Sequence, residues 1–340
     1  MRESGKRRIW TLVGVAAFLL VVGRVGVAGP ADYAKLAPAT HEAFIYVDVG
    51  QILKSKLYQD LRPTLFDQNT SMRLVAIEQF TGIRLPDDIS IVAASGKIAQ
   101  NNEGCLFLKG RWDRQRIEGF LKMNPGYTEI TKPAGKVISF LDENKGTTNY
   151  LAFLSDNLLA VGNNAAVESA LNSFAGKGPS LAQNATVQAY LSAAPTSPVA
   201  MVVALRPATL PGNIAGQPGI RNLKSAVLEV LDGPTAISVI VQVEADSQAM
   251  AAKWLDIARG VIALGQIQDK VPKLAEIANQ ATAAQRGAVV EVKAQVKTAD
   301  AGDFLRQKIA EDRQRKAMGG ARVGQGQGQG QTPPPAPAQW

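Results

Sequence analysis

The sequence predicts an α+β protein of duplicated β-α-β-β-α units, an antiparallel sheet with helices on one face. Three observations carry that prediction. First, Val290, Val292, Ala294 and Val296 alternate with Glu291, Lys293, Gln295 and Lys297. A period of two marks a half-exposed antiparallel strand. Second, such strands recur, each running through a short polar turn into an amphipathic helix. Third, a strand followed by a helix opens each half of the chain.

The elements follow in order. Residues 1–31 carry a basic head, Arg2 to Arg8, an apolar run from Ile9 to Val22, and small residues from Gly26 to Ala31. That is the layout of an export signal. The run is short for a spanning helix, and Arg24 can snorkel to lengthen it. A cleaved signal and a retained N-terminal anchor both stay open. Both place the remainder outside the cytoplasm, periplasmic or extracytoplasmic, and the anchor would hold it at the inner membrane.

The first repeat spans 40–177. It opens with a strand at Ala43–Val49 and a helix from about Ile52 to Phe66, then a strand at Ile89–Ala94. Cys105–Leu108 leads through Asp113 to a helix bearing Ile117, Phe120 and Leu121, stopped by Asn124-Pro125-Gly126. An added meander uses Val137–Leu141 and Tyr150–Leu154. Leu158–Val161 then leads through Asn163 or Asn164 to a helix with Val167, Leu171 and Phe174.

The second repeat spans 196–316. Pro198–Leu205 is a strand, and a helix is expected from about Ile220 to Leu231. Thr235–Val243 is a strand, after which Asp246 caps a helix with Met250, Trp254, Ile257 and Val261. A helical hairpin is expected through Leu274–Gln285. After the strand at Ala288–Lys297, Asp300 caps a helix to about Lys316. Residues 319–340 form a Gly/Gln/Pro tail too poor in apolar groups to offset its ordering entropy.

The chain has 340 residues and a net charge of +8. The excess sits in the basic head and in Arg306, Lys308, Arg313, Arg315, Lys316 and Arg322 near the other end, so residues 31–305 are balanced. That distribution argues against a nucleic-acid partner. With Cys105 alone there is no internal disulfide, and the core must hold the fold.

Several segments together resemble a known group. They are Phe44-Ile45-Tyr46-Val47-Asp48 with Ile52-Leu53-Lys54-Ser55, then Thr81-Gly82-Ile83, Asp88-Ile89, and Leu108-Lys109-Gly110-Arg111-Trp112-Asp113. They resemble a loose group of uncharacterised exported bacterial proteins with repeated α+β units, a domain of unknown function. The resemblance covers residues 40–175. It implies an envelope protein and transfers no catalytic residue.

Chemistry-bearing patterns are sparse. His41 is the single histidine, read here as a surface or strand-entry residue, and a triad would have to use it. Cys105 sits in an apolar strand, as a core thiol does. The adjacent carboxylates Asp87-Asp88, Asp142-Glu143 and Glu311-Asp312 suit turns and solubility, since neighbours on a strand point apart. Ser95-Gly96-Lys97 ends like a phosphate loop, but Ile91 replaces its first glycine. The expectation is therefore no catalytic residue, no cofactor and no metal.

The leading functional reading is an exported, non-catalytic envelope protein, a binding or structural module with a protein partner in a membrane-associated assembly. Membrane association would run through residues 9–22. One alternative is a carrier holding a lipid or other apolar ligand between a curved sheet and its helices. A carboxylate-dependent hydrolase is the other.

Overall fold

A computed structural model describes residues 29–66, 68–97, 103–143, 146–193, 198–205, 222–267 and 272–324. The expected signal or anchor and the tail beyond Gly324 lie outside the described residues.

Twelve strands form one sheet. They are β1 (Ala43–Asp48), β2 (Ile89–Gly96), β3 (Gly104–Gly110), β4 (Thr128–Lys132), β5 (Gly135–Asp142), β6 (Thr147–Ser155), β7 (Leu158–Gly162), β8 (Ala200–Leu205), β9 (Leu223–Asp232), β10 (Ala236–Ala245), β11 (Thr282–Arg286) and β12 (Val289–Lys297). The order is β11-β12-β10-β9-β8-β1-β2-β3-β7-β6-β5-β4, and every neighbouring pair is antiparallel. The chain runs outward from the central β1–β8 pair twice. Strands β1, β2 and β3 are successive neighbours, and β7 returns beside β3. Strands β8, β9 and β10 do the same, and β12 returns beside β10.

The ten described helices are α1 (Pro30–Ala34), α2 (Val49–Leu53), α3 (Lys56–Leu65), α4 (Gln68–Thr81), α5 (Arg114–Lys122), α6 (Asn164–Phe174), α7 (Ala185–Ala193), α8 (Gln248–Gln266), α9 (Pro272–Gln280) and α10 (Thr298–Gly324). Local chemistry sets their starts. The Asp113 carboxylate accepts from the backbone of Gln115 and Arg116, and Asn163 accepts from Ala166. Each satisfies a donor that the first turn leaves unpaired.

The α+β class is as the sequence predicts, but the helices pack on both faces. Alternation along β1 shows why. Phe44 and Tyr46 belong to one buried cluster with Ile91, Ala93, Phe107, Met201 and Val227, closed over by α1, α6 and α7. Ile45 and Val47 point the other way, into a cluster with Ile52, Leu57, Leu61, Val230 and Ile237 under α2, α3 and α10. The Ile45 face also carries α5 over Ile138 and Leu151, and α8 over Val290. Only the outer strands β10 to β12 match the one-sided expectation. Their other face is Gln242, Glu291, Lys293 and Gln295.

Other expectations are corrected. The segment expected to be helical from Ile220 to Leu231 is β9 from Leu223 on. Leu223, Val227, Val230 and Leu231 fit a helical stripe, but the strand lies mid-sheet, where apolar residues on both faces blur the period of two. The expected hairpin at Leu274–Gln285 is α9 followed by β11. The helix expected over Ile52–Phe66 is broken at Ser55, whose hydroxyl caps α3 by accepting from Tyr58. Helix α4 and strand β4 have no counterpart in the sequence reading. Ser247, not Asp246, caps α8. Asp300 lies inside the first turn of α10, not before it. That helix continues to Gly324, so the tail expected from Gly319 begins as helix.

Candidate functional site

Register aligns one row of side chains across the Ile45 face of all twelve strands. Outward from Ile45 on one side run Ala94, Leu106, Val161, Leu151, Ile138 and Glu129. On the other side run Val202, Leu228, Val241, Val292 and Ala283. Every member but Glu129 is apolar. Cross-strand neighbours of this kind stand about 4.5–5.5 Å apart, close enough to make a continuous apolar band.

Helices cover the band only in part. At one end α5 sets Ile117 and Leu121 against Ile138 and Leu151. At the other, α8 sets Met250 and Trp254 near Val243 and Val290. Between them the band is only partly covered. Leu228 is 37% exposed and Val241 36%, although both lie in the interior of the sheet. Val227, one residue away on the opposite face, is 1% exposed. Leu106, Ala94, Ile45 and Val202 are half-buried, while their neighbours Cys105, Ala93, Phe44 and Val203 are buried.

The flanks shape this band into a trough. Along one side the next row of the same face, Val47, Ala200, Val230 and Val239, is packed under α2, α3 and α10. Along the other, the next row is Gly104, Gly96, Ala43, Ala204 and Ala226. These side chains leave a shallow floor. A Cβ at Gly96 would meet the Glu103 carbonyl at 2.9 Å, so this position admits nothing larger. From Leu106 on β3 to Val241 on β10 the trough crosses five interstrand spacings, roughly 24 Å.

Helix α8 forms an end wall. Its inward stripe includes Ala251, Trp254 and Leu255. Met250, Ile257, Val261 and Leu264 lie on the flank turned toward β9, where the Asn222 amide meets Met250 Sδ at 3.8 Å. Ile257, Val261 and Leu264 are 53%, 64% and 61% exposed. From Ser247, Ile257 stands roughly 15 Å along the helix. Lys224 is the extra residue of a bulge in β9, between Leu223, which packs on the Ile45 face, and Ser225, and Lys253 lies one turn before Ile257 on α8. Both are exposed, and neither forms an ion pair with a described residue.

The residues singled out by sequence lie elsewhere and apart. His41 is buried, not at the surface, and its Nδ1 lies 2.8 Å from Ser95 Oγ. Burial lowers its pKa to about 4, against a smaller pull from Glu103. Cys105 is buried on the Phe44 face, and desolvation pushes its thiol up to about 12. Asp88 is buried between the Arg84 and Arg111 guanidiniums, each 3.2 Å away, while Asp87 is exposed. Hydrogen bonding from Arg84 holds the Asp88 carboxyl below its ordinary range. Asp142 and Glu143 edge an open hollow of about 470 Å³ beside α5, lined by Phe120, Met123 and Phe140. Glu311 pairs with Lys308 at 2.7 Å on α10. Among the described residues no three His, Cys, Asp or Glu side chains come together as metal ligands. No described helix is long and apolar enough to cross a membrane.

No protein-family model and no curated protein matches the chain. Solved structures with a similar trace include three crystal forms of TP0453. Form III has a TM-score of 0.48 at 8% identity, covering 84% of this chain and 100% of that one. Form IV gives 0.47 at 8%, covering 83% and 97%. Form I gives 0.44 at 8%, covering 83% and 98%.

Proposed function

We propose that this chain is an exported, non-catalytic binding module of the cell envelope, and that its apolar trough is the binding surface. The single observation that supports this reading most is the exposure of Leu228 and Val241 in the interior of a twelve-stranded sheet, although Val227, beside Leu228 on the other face, is buried. Bare apolar area of this kind on a folded protein marks a surface that meets something. The export-type head in the sequence supports the compartment. The scattered positions of His41, Cys105 and the paired carboxylates give catalysis no shared centre, which favours binding over hydrolysis.

Titration of the whole chain with phenylnaphthylamine, a neutral apolar dye, tests the reading. Saturable fluorescence enhancement is expected, and Leu228→Asp should abolish it without loss of the folded circular-dichroism spectrum. Absence of saturable binding by the native chain, or unchanged binding by the variant, would overturn it.

A further inference from the structure

We propose that residues 332–340, the Pro-rich and tryptophan-bearing stretch that follows α10 in the chain, dock in the aromatic hollow beside α5. This contact uses a different surface from the trough and does not depend on it.

An exposed apolar track leads to the hollow. On α4, Met72, Val75 and Phe80 are exposed, and Met72, Ala76 and Phe80 follow one another at intervals of four residues. The Phe80 ring lies 5.9 Å from that of Phe120 on α5, tilted by 42°. Phe120 then lines the hollow with Met123 and Phe140. The volume, about 470 Å³, falls within the range of ligand sites, roughly 300–1,000 Å³. None of these side chains bears a charge, and a contiguous apolar patch on a folded protein marks a surface that meets something.

The fold delivers residues 325–340 to this side of the molecule. A Cβ at Gly302 would meet Leu57 at 3.2 Å, and Arg313 donates to the Thr64 carbonyl at 2.6 Å. Helices α3 and α10 therefore run in the same direction. Beyond Arg313, α10 continues for roughly 16 Å to Gly324, past the end of α3 from which the chain turns into α4. The next sixteen residues, when extended, reach roughly 50 Å, more than twice the roughly 21 Å of α4. Their chemistry suits the hollow. Thr332-Pro333-Pro334-Pro335-Ala336-Pro337-Ala338-Gln339-Trp340 is rich in proline, whose fixed φ lowers the entropy lost on docking. Such stretches dock in aromatic-lined grooves, and Trp340 adds a large ring with a polar edge. Residues 325–340 carry no charged side chain, as the track carries none. The apolar run at 9–22 is the other candidate within this chain, but it leads into α1, which packs with Phe44 on the opposite face of the sheet.

The test uses the whole chain labelled with fluorotryptophan, with Trp340→Phe to assign the Trp340 fluorine resonance. A synthetic peptide of residues 325–340, labelled in the same way, gives the undocked position. In the native chain the Trp340 resonance is expected to be shifted from the peptide's, equally at every protein concentration, because docking within one chain depends on the linker and not on other molecules. Met123 is 68% exposed, so Met123→Asp should keep the folded circular-dichroism spectrum while the shift is lost and the resonance returns to the peptide position. A native resonance already at the peptide position overturns the docking, whatever the variant does. So does a shift that Met123→Asp leaves in place, which would put the segment elsewhere on the molecule. A shift that fades on dilution overturns it in favour of a second copy as the occupant. A shift that appears only on adding phosphatidylglycerol vesicles overturns it in favour of a bilayer.

Discussion

The two faces of the central strands are built from nearly the same residue types and end in different states. On β1, Phe44 and Tyr46 are closed under α1, α6 and α7, while Ile45 on the other face keeps part of its surface in water. On β9, Val227 is buried and Leu228 is bare. Apolar composition alone thus does not separate core from exposed surface. What separates them is which helices the connections deliver to each face. The Phe44 face receives three helices over its centre. The Ile45 face receives its helices at the ends and along one side.

The comparison breaks most sharply under truncation. Phe107→Ala, on the closed face, should cost about 3–5 kcal/mol, read as a lowered urea midpoint. Leu228→Ala should cost less than about 1 kcal/mol, because much of its area is already wet. Similar costs at both positions would mean that the Ile45 face is packed after all.

Acid probes the closed face through His41. His41 is buried there with a pKa of about 4, against an ordinary value of 6.5. The unfolded chain then takes up a proton that the folded chain refuses. Its contribution is complete above about pH 6.5, falls as pH drops through the window, and is lost at about pH 4, up to about 3 kcal/mol in all. Glu229 works in the opposite sense, since burial raises its pKa. The difference between the native chain and His41→Gln across this window isolates the histidine. A difference that does not change with pH would place His41 in water.

The open face should respond in binding rather than in stability. Val202→Ser and Val241→Ser should each shift the thermal midpoint by no more than a few degrees, yet weaken binding of the neutral dye by about fivefold or more. Smallest of all, Lys224→Ala should leave stability within about 0.5 kcal/mol of the native chain by chemical denaturation.

How much of this was legible in the sequence depends on which contacts are local. Strand β12 could be read because its polar residues all face one way, and Asp113 and Asn163 announce their helices by capping. Strand β9 could not, because a mid-sheet strand lacks clean alternation. The trough was invisible for a different reason. Leu106, Ile45, Val202 and Leu228 are far apart in the chain and become neighbours only through register. The faint signal was the recurrence of small residues, Ala43, Gly96, Gly104, Ala204 and Ala226, at matching ends of successive strands. The burial of His41 was missed because a residue before a strand carries no sign of what Ser95, on another strand, will offer it.

The sheet is not closed into a barrel, and it stops at β4 and β11. These outermost strands are among the shortest, Thr128–Lys132 and Thr282–Arg286, and both are largely polar. An unpaired strand edge is a template on which further chains polymerise, and brevity and charge are what blunt it. The apolar row itself ends on β4 at Glu129, so a chain adding there would have to bury a carboxylate to extend it. In a crowded compartment this makes lateral growth into fibrils unfavourable, even though the molecule carries a partly bare apolar band across its middle.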